Sequence, residues 1–186
     1  MNERLRAAPA ISKSRLEFLF DGVFAIAMTL LVLELKVPEL VHRNSIGELA
    51  RALGHHAPIF VSYLISFMVL GIFWYRHNQH YHHFRVITRT MLVLHFVQLA
   101  AAAFFPYCAA LLGRYPTNAM SLVVYLACVL VYAFASLGNW LIAGRTGSLG
   151  PEITPEEFLR ARKRLFLWCF VVTAFLTLYL VKVLAV

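Results

Sequence analysis

Five long apolar runs separated by short polar interruptions organise this sequence: about Leu16 to Val37, Ala57 to Tyr75, Met91 to Leu112, Asn118 to Ala143 and Leu165 to Val186. Each approaches or exceeds the roughly 20 residues with which a helix crosses about 30 Å of hydrocarbon. The pattern predicts an all-α polytopic transmembrane bundle of about five spans. No linker rich in Gly, Pro or Ser divides it, so residues 1–186 read as a single membrane domain.

The polar interruptions carry local signals. Ser45-Ile-Gly-Glu48 in the first outer loop is a capping-box pattern that starts a short surface helix or an extension of the second span. Tyr115-Pro116-Thr117-Asn118 makes a tight turn, which sets spans three and four side by side and antiparallel. Gly144 to Pro155 is the most loop-like segment, and Thr154-Pro155-Glu156-Glu157 supplies an N-cap, a proline at N1 and an acidic first turn for the last helix.

Composition sharpens the class. At 61% apolar and 14% charged residues, with a mean hydropathy of +0.72, a chain of 186 residues cannot hide its apolar surface in one small aqueous core. The formal charge of +8 raises the question of nucleic acid, and its distribution answers it. With the N-terminus inside, the inner segments hold Arg4, Arg6, Lys13, Arg15, Arg76, Arg85, Arg89, Arg145, Arg160, Arg162, Lys163 and Arg164. The outer segments hold only Lys36, Arg43, Arg51, Arg114 and Lys182. That asymmetry is the positive-inside pattern, so the basicity encodes topology, with anionic lipid headgroups as partners and no nucleic acid. The predicted location is a membrane, with a cytoplasmic N-terminus. The basic first fifteen residues lead into a span with an acidic residue and no small-residue cleavage pattern, against a cleaved signal peptide. Cys108, Cys128 and Cys169 lie singly inside apolar runs and read as buried thiols.

Candidate chemistry concentrates on the first span. Asp21 is a carboxylate near its start, which at membrane depth requires a partner; Arg15 or a histidine is the expected one. Steps of three and four residues align Gly22, Ile26, Thr29, Leu30 and Leu33 on one stripe. This stripe is either a packing seam or, in several copies, the wall of a pore narrowed by hydrophobic rings. Glu34 near the outer end is a cation-attracting ring or a solvated terminus. His95 and Gln98 in the third span are expected to satisfy each other or neighbouring helices.

A second cluster, His77, His80 and His83, recurs at steps of three after Trp74. It admits a haem or metal site, or a helix end whose histidines cap carbonyls and pair with Asp21. No Cys, Asp or Glu completes a ligand shell nearby, and no cofactor is expected. Phosphate loops, HExxH and nucleophile elbows are missing from the sequence, which argues against an enzyme. A carbonyl filter of the Thr-Val-Gly-Tyr-Gly kind is missing as well.

The run Arg15, Leu19-Phe20-Asp21, Gly22-Val23-Phe24-Ala25-Ile26 and Thr29-Leu30-Leu31-Val32-Leu33, continued by Gly71-Ile72-Phe73-Trp74 and His77-Asn78, closely resembles the endolysosomal potassium channel family. That family's pattern is Arg, three residues, Phe-Ser-Asp, then Gly-Val-Phe-Ala-Ile. The resemblance implies a homotetrameric channel, weakly selective for potassium over sodium, with the pore lined by four copies of the first helix. Ile26 is then the bottleneck, Leu30 and Leu33 are further rings, and Thr29 contributes hydroxyls. Arg15, Asp21 and His77 form a polar brace. Two departures stand out: Phe20 replaces the motif serine, and five spans are counted where bacterial members carry six. Either a helix beyond the fifth is absent or a loop segment is membrane-associated. The competing readings are a haem or metal protein on His77, His80 and His83, and a transporter or non-conducting accessory membrane protein.

Overall fold

The computed structural model describes residues 12–184. Arg4 and Arg6, counted above among the inner basic residues, lie outside the described residues. So does the expected end of the last span beyond residue 184. Six helices follow one another: α1 (Lys13–Leu30, continued by a 3₁₀ turn, Leu31–Glu34), α2 (Ile46–His55), α3 (Ala57–His82), α4 (Arg89–Arg114), α5 (Ala119–Thr146) and α6 (Pro155–Leu184). All except α2 are long and apolar enough to cross a membrane. Ten residues at 1.5 Å each make α2 too short for that.

Helix starts follow the local signals. Ser45 caps α2, its hydroxyl accepting from Glu48 N, and the Glu48 carboxylate accepts the amides of Val41 and His42 at 2.8 and 3.0 Å. Thr88 and Asn118 cap α4 and α5. At α6 the capping box closes in both directions: Thr154 Oγ1 accepts from Glu157 N, and the Glu157 carboxylate accepts from Thr154 N at 2.9 Å. Two helices extend beyond the apolar runs that mark their spans. The α3 helix continues past Tyr75 to His82, because Arg76 to His82 contains no helix breaker. The α5 helix holds until Thr146, where Gly147 takes the left-handed conformation (φ 64°) that ends it.

The centre of the bundle is the antiparallel pair α4 and α5, half of whose apolar windows are buried. Small residues let their axes approach: Ala101, Ala102 and Ala109 of α4 and Cys128 and Ala133 of α5 are buried in the core, and Cys128 Sγ donates to Ala101 O at 3.3 Å. Close approach recurs between α3 and α4, where a Cβ on Gly113 would lie 3.1 Å from Ile59 Cα. Buried polar groups bond across helices, as apolar surroundings require. The Ser62 hydroxyl donates to Ala109 O at 2.7 Å, Tyr132 donates to Phe73 O at 3.1 Å, and Asn139 Nδ2 donates to Gln98 Oε1 at 3.0 Å. His95 turns to its own helix, donating from Nδ1 to Met91 O at 2.6 Å. The three cysteines are free and buried.

The start of α1, the end of α3, the start of α4, the end of α5 and the start of α6 meet at one end of the bundle. Lys13 Nζ donates to His82 O at 3.0 Å. The α3–α4 and α5–α6 connections pair through Arg85 N to Ser148 O at 2.7 Å and Gly150 N to His83 O at 2.9 Å. The residues assigned above to the inner face that fall within the described chain cluster at this end.

Candidate ion pathway on the first helix

Helix α1 has two faces of different fate. Leu16, Phe20, Phe24, Ala27 and Leu31, spaced by four and three residues, are buried against α3 and α4. On the other side Gly22 and Thr29 are exposed, and Ile26, Leu30 and Leu33 expose 60%, 41% and 67% of their surface. The stripe singled out in the sequence is thus the face that finds no partner among the described residues. Thr29 Oγ1 donates to Ile26 O at 2.8 Å. Its single proton is therefore spent within the helix, and what the side chain presents outward is acceptor character, suited to a cation.

The polar brace takes a different form from the expected one. Asp21 Oδ1 accepts from Trp74 Nε1 at 2.8 Å, linking α1 to α3 at an exposed position. Below it lies a groove of about 320 Å³ lined by Phe24, Ala25, Met28 and Trp74. Arg15 is exposed, and among the described residues no ion pair joins it to Asp21. His77 does not reach Asp21 within the chain. It is buried against the other side of α1, its ring stacked on Phe20 with centroids 3.6 Å apart and planes 7° from parallel. Phe20, the residue at the motif's serine position, fills the space between α1 and His77 with an apolar ring. His77 Nε2 is left buried with no hydrogen-bond partner.

The three histidines of the second cluster diverge. His77 faces Phe20 and His95, whereas His80 and His83 face Trp140 of α5 at 5.3 and 6.2 Å. Among the described residues no group of three or more His, Cys, Asp or Glu is placed to hold a metal ion. The haem or metal reading gains no geometry from this arrangement. Glu34 pairs with Arg114 of α4, Nη2 to Oε2 at 3.3 Å, which ties the outer ends of α1 and α4 together. Sequence reasoning missed the role of Trp74. The available signal was an indole N–H one helical step from His77, a donor that seeks an acceptor when it lies against a neighbouring helix.

Comparison with known proteins bears on this first helix directly. Residues 15–106, from α1 into α4, match the family model described as endosomal/lysosomal potassium channel TMEM175. A Streptomyces collinus protein named as a potassium channel is 34% identical over 139 residues, covering 73% of this chain and 66% of the relative. The chain belongs to the TMEM175 family. The mouse protein named endosomal/lysosomal proton channel TMEM175 is 32% identical over 140 residues, and the match covers 28% of its length. In three dimensions the chain is similar to the crystal structure of a lysosomal potassium-selective channel TMEM175 homolog from Chamaesiphon minutus. The TM-score is 0.78 at 25% identity, covering 91% of this chain and 87% of that one. The TMEM175 match thus includes both the aliphatic face of α1 and the helices on which its other face is packed.

Proposed function

We propose that this protein is a potassium-permeable cation channel of the TMEM175 type, in which four copies of the chain surround a pore with their α1 helices. The observation that carries the reading is the aliphatic stripe of α1, held outward by a helix whose other face is anchored in the core. In this reading Ile26 forms the narrowest ring, Leu30 and Leu33 form further rings, and Thr29 offers hydroxyl oxygens along the path. Gly22 leaves the ring before Ile26 wide. Such a constriction controls flow by dewetting and side-chain packing. Selectivity from aliphatic rings without fixed carbonyl ligands is weak, favouring potassium over sodium by a small factor.

The names of the bacterial relatives support potassium as the permeant ion, and those of the animal relatives bring protons into consideration. The N-terminus and the basic cluster lie on the cytoplasmic side of a bacterial inner membrane in this reading, following the positive-inside pattern. The test is reconstitution into liposomes under set potassium, sodium and proton gradients, with subunit number read by native mass spectrometry. Tetramers that pass potassium faster than sodium agree with the proposal. Flux of protons alone, or a folded protein that passes no ion, counts against it.

A further inference from the structure

At the basic end of the bundle, the last turn of α3, the end of α5 and the first turns of α6 enclose a cavity of about 260 Å³ away from the α1 stripe. Gln79, His80 and His83 line it from the α3 side, Trp140 from α5, and Arg160 and Arg164 from α6. The two arginines are one helical turn apart, so both guanidinium groups are set on the same wall.

The histidines add donors. Nδ1 of His80 and Nδ1 of His83 are each buried with no hydrogen-bond partner among the described residues. An occluded ring nitrogen lacking an acceptor is better left without its hydrogen, which places an N–H of each ring on Nε2. The single acidic residue of the lining, Glu157, has one carboxylate oxygen, Oε2, accepting from Thr154 N and Thr154 Oγ1 at 2.9 and 3.0 Å. Arg76, one turn before His80, stacks over Trp168 at 5.5 Å and adds positive charge nearby. The Trp140 indole N–H is already committed to Phe158 O at 3.2 Å.

Such a wall is rich in donors, poor in acceptors and net positive. Planar guanidinium forks beside imidazole N–H groups match the tetrahedral oxygens of phosphate better than they match a cation or a neutral solute. At about 30 Å³ per water, the volume holds a phosphate group with several waters. Arg164 immediately precedes Leu165, the first buried apolar residue of α6, so the cavity sits where the apolar span begins and headgroup phosphates reside. From this arrangement we propose that the cavity binds a phosphate-bearing anion, supplied by a phospholipid headgroup or free in solution. The proposal is independent of the channel reading.

The experiment measures thermal unfolding of the purified full chain in two arms. One titrates inorganic phosphate at constant ionic strength in an uncharged detergent. The other compares nanodiscs of phosphatidylcholine alone with nanodiscs that also contain phosphatidylglycerol. Each arm includes Arg160→Gln/Arg164→Gln and a control, Arg162→Gln/Lys163→Gln, which removes the same charge from elsewhere on α6. A saturable upward shift with inorganic phosphate identifies free phosphate as a ligand, and a shift confined to phosphatidylglycerol discs identifies the headgroup. In either case Arg160→Gln/Arg164→Gln weakens the response at least about tenfold while the control keeps it. No shift in both arms, or equal loss in both double variants, overturns the proposal.

Discussion

Phe20 and His77 lie face to face, 3.6 Å between ring centroids, and join α1 to α3 through an aromatic stack at the position where the family motif carries a serine. His95 meets the pair edge-on, 5.6 Å from Phe20 and 5.7 Å from His77. The local attachment of the first helix here is apolar and aromatic.

The stack has a measurable energy. Phe20→Ala removes a fully buried ring and should destabilise the protein by about 3–5 kcal/mol. In a double-mutant cycle with His77→Ala, measured by thermal unfolding in detergent, the coupling should be about 0.5–1.5 kcal/mol, the value for an aromatic pair beyond its area. Strict additivity would show that the two rings are neighbours without interacting.

Asp21 should behave as the acceptor of a partly exposed hydrogen bond. Asp21→Asn keeps an oxygen facing Trp74 Nε1, so its cost should stay near about 1 kcal/mol, and Trp74→Phe should cost a similar amount. Breaking a buried ion pair costs about 3–5 kcal/mol. A loss of that size in the Asp21→Asn melting curve would restore the charged brace and refute the indole contact.

Gly113 sets the distance between α3 and α4. A valine there meets Ile59 and Ser62, whose atoms already lie 3.1 and 3.2 Å from the position of a Cβ. Overpacking of this kind costs about 1–3 kcal/mol. The melting temperature should fall accordingly, and an unchanged value would mean that the helices separate freely.

Acid should loosen the loop before α2. Amide hydrogen bonds from Val41 and His42 hold the Glu48 carboxyl below the ordinary glutamate range. A carboxylate with a lowered folded pKa stabilises above its unfolded pKa, and that contribution is lost as pH falls through the folded value. Hydrogen-exchange protection at Val41 and His42 should therefore drop in acid. In Glu48→Gln it should already be reduced at neutral pH and change little with pH. Identical pH profiles in both proteins would exclude the carboxylate as the cap.

The spans, the caps at Ser45 and Thr154 and the turn before Asn118 were legible in the sequence because each rests on local chemistry or on a run of apolar residues. The outward stripe of Ile26, Thr29 and Leu33 was legible as a stripe, and its exposure follows once Leu16, Phe20, Phe24 and Leu31 take the core side. Arg15, Asp21 and His77 do not meet within the described residues of one chain, for a tertiary reason. Which α3 residue faces Asp21 depends on the rotation of α3 against α1; here Trp74 meets Asp21 while His77 stacks on the ring of Phe20. The continuation of α3 to His82 agrees with reading the histidine cluster at a helix end by its steps of three, since hydropathy marks where lipid ends and is silent about where a helix ends.

The outward aliphatic face of α1 as the conduction path is tested most directly by potassium and sodium flux in liposomes for the parent protein beside Ile26→Asn. A small polar side chain at the narrowest ring should increase the flux and reduce the preference for potassium, in a protein whose oligomeric state is unchanged. Equal flux and equal preference in parent and variant would contradict the account, because the ion would then pass somewhere other than the ring at Ile26.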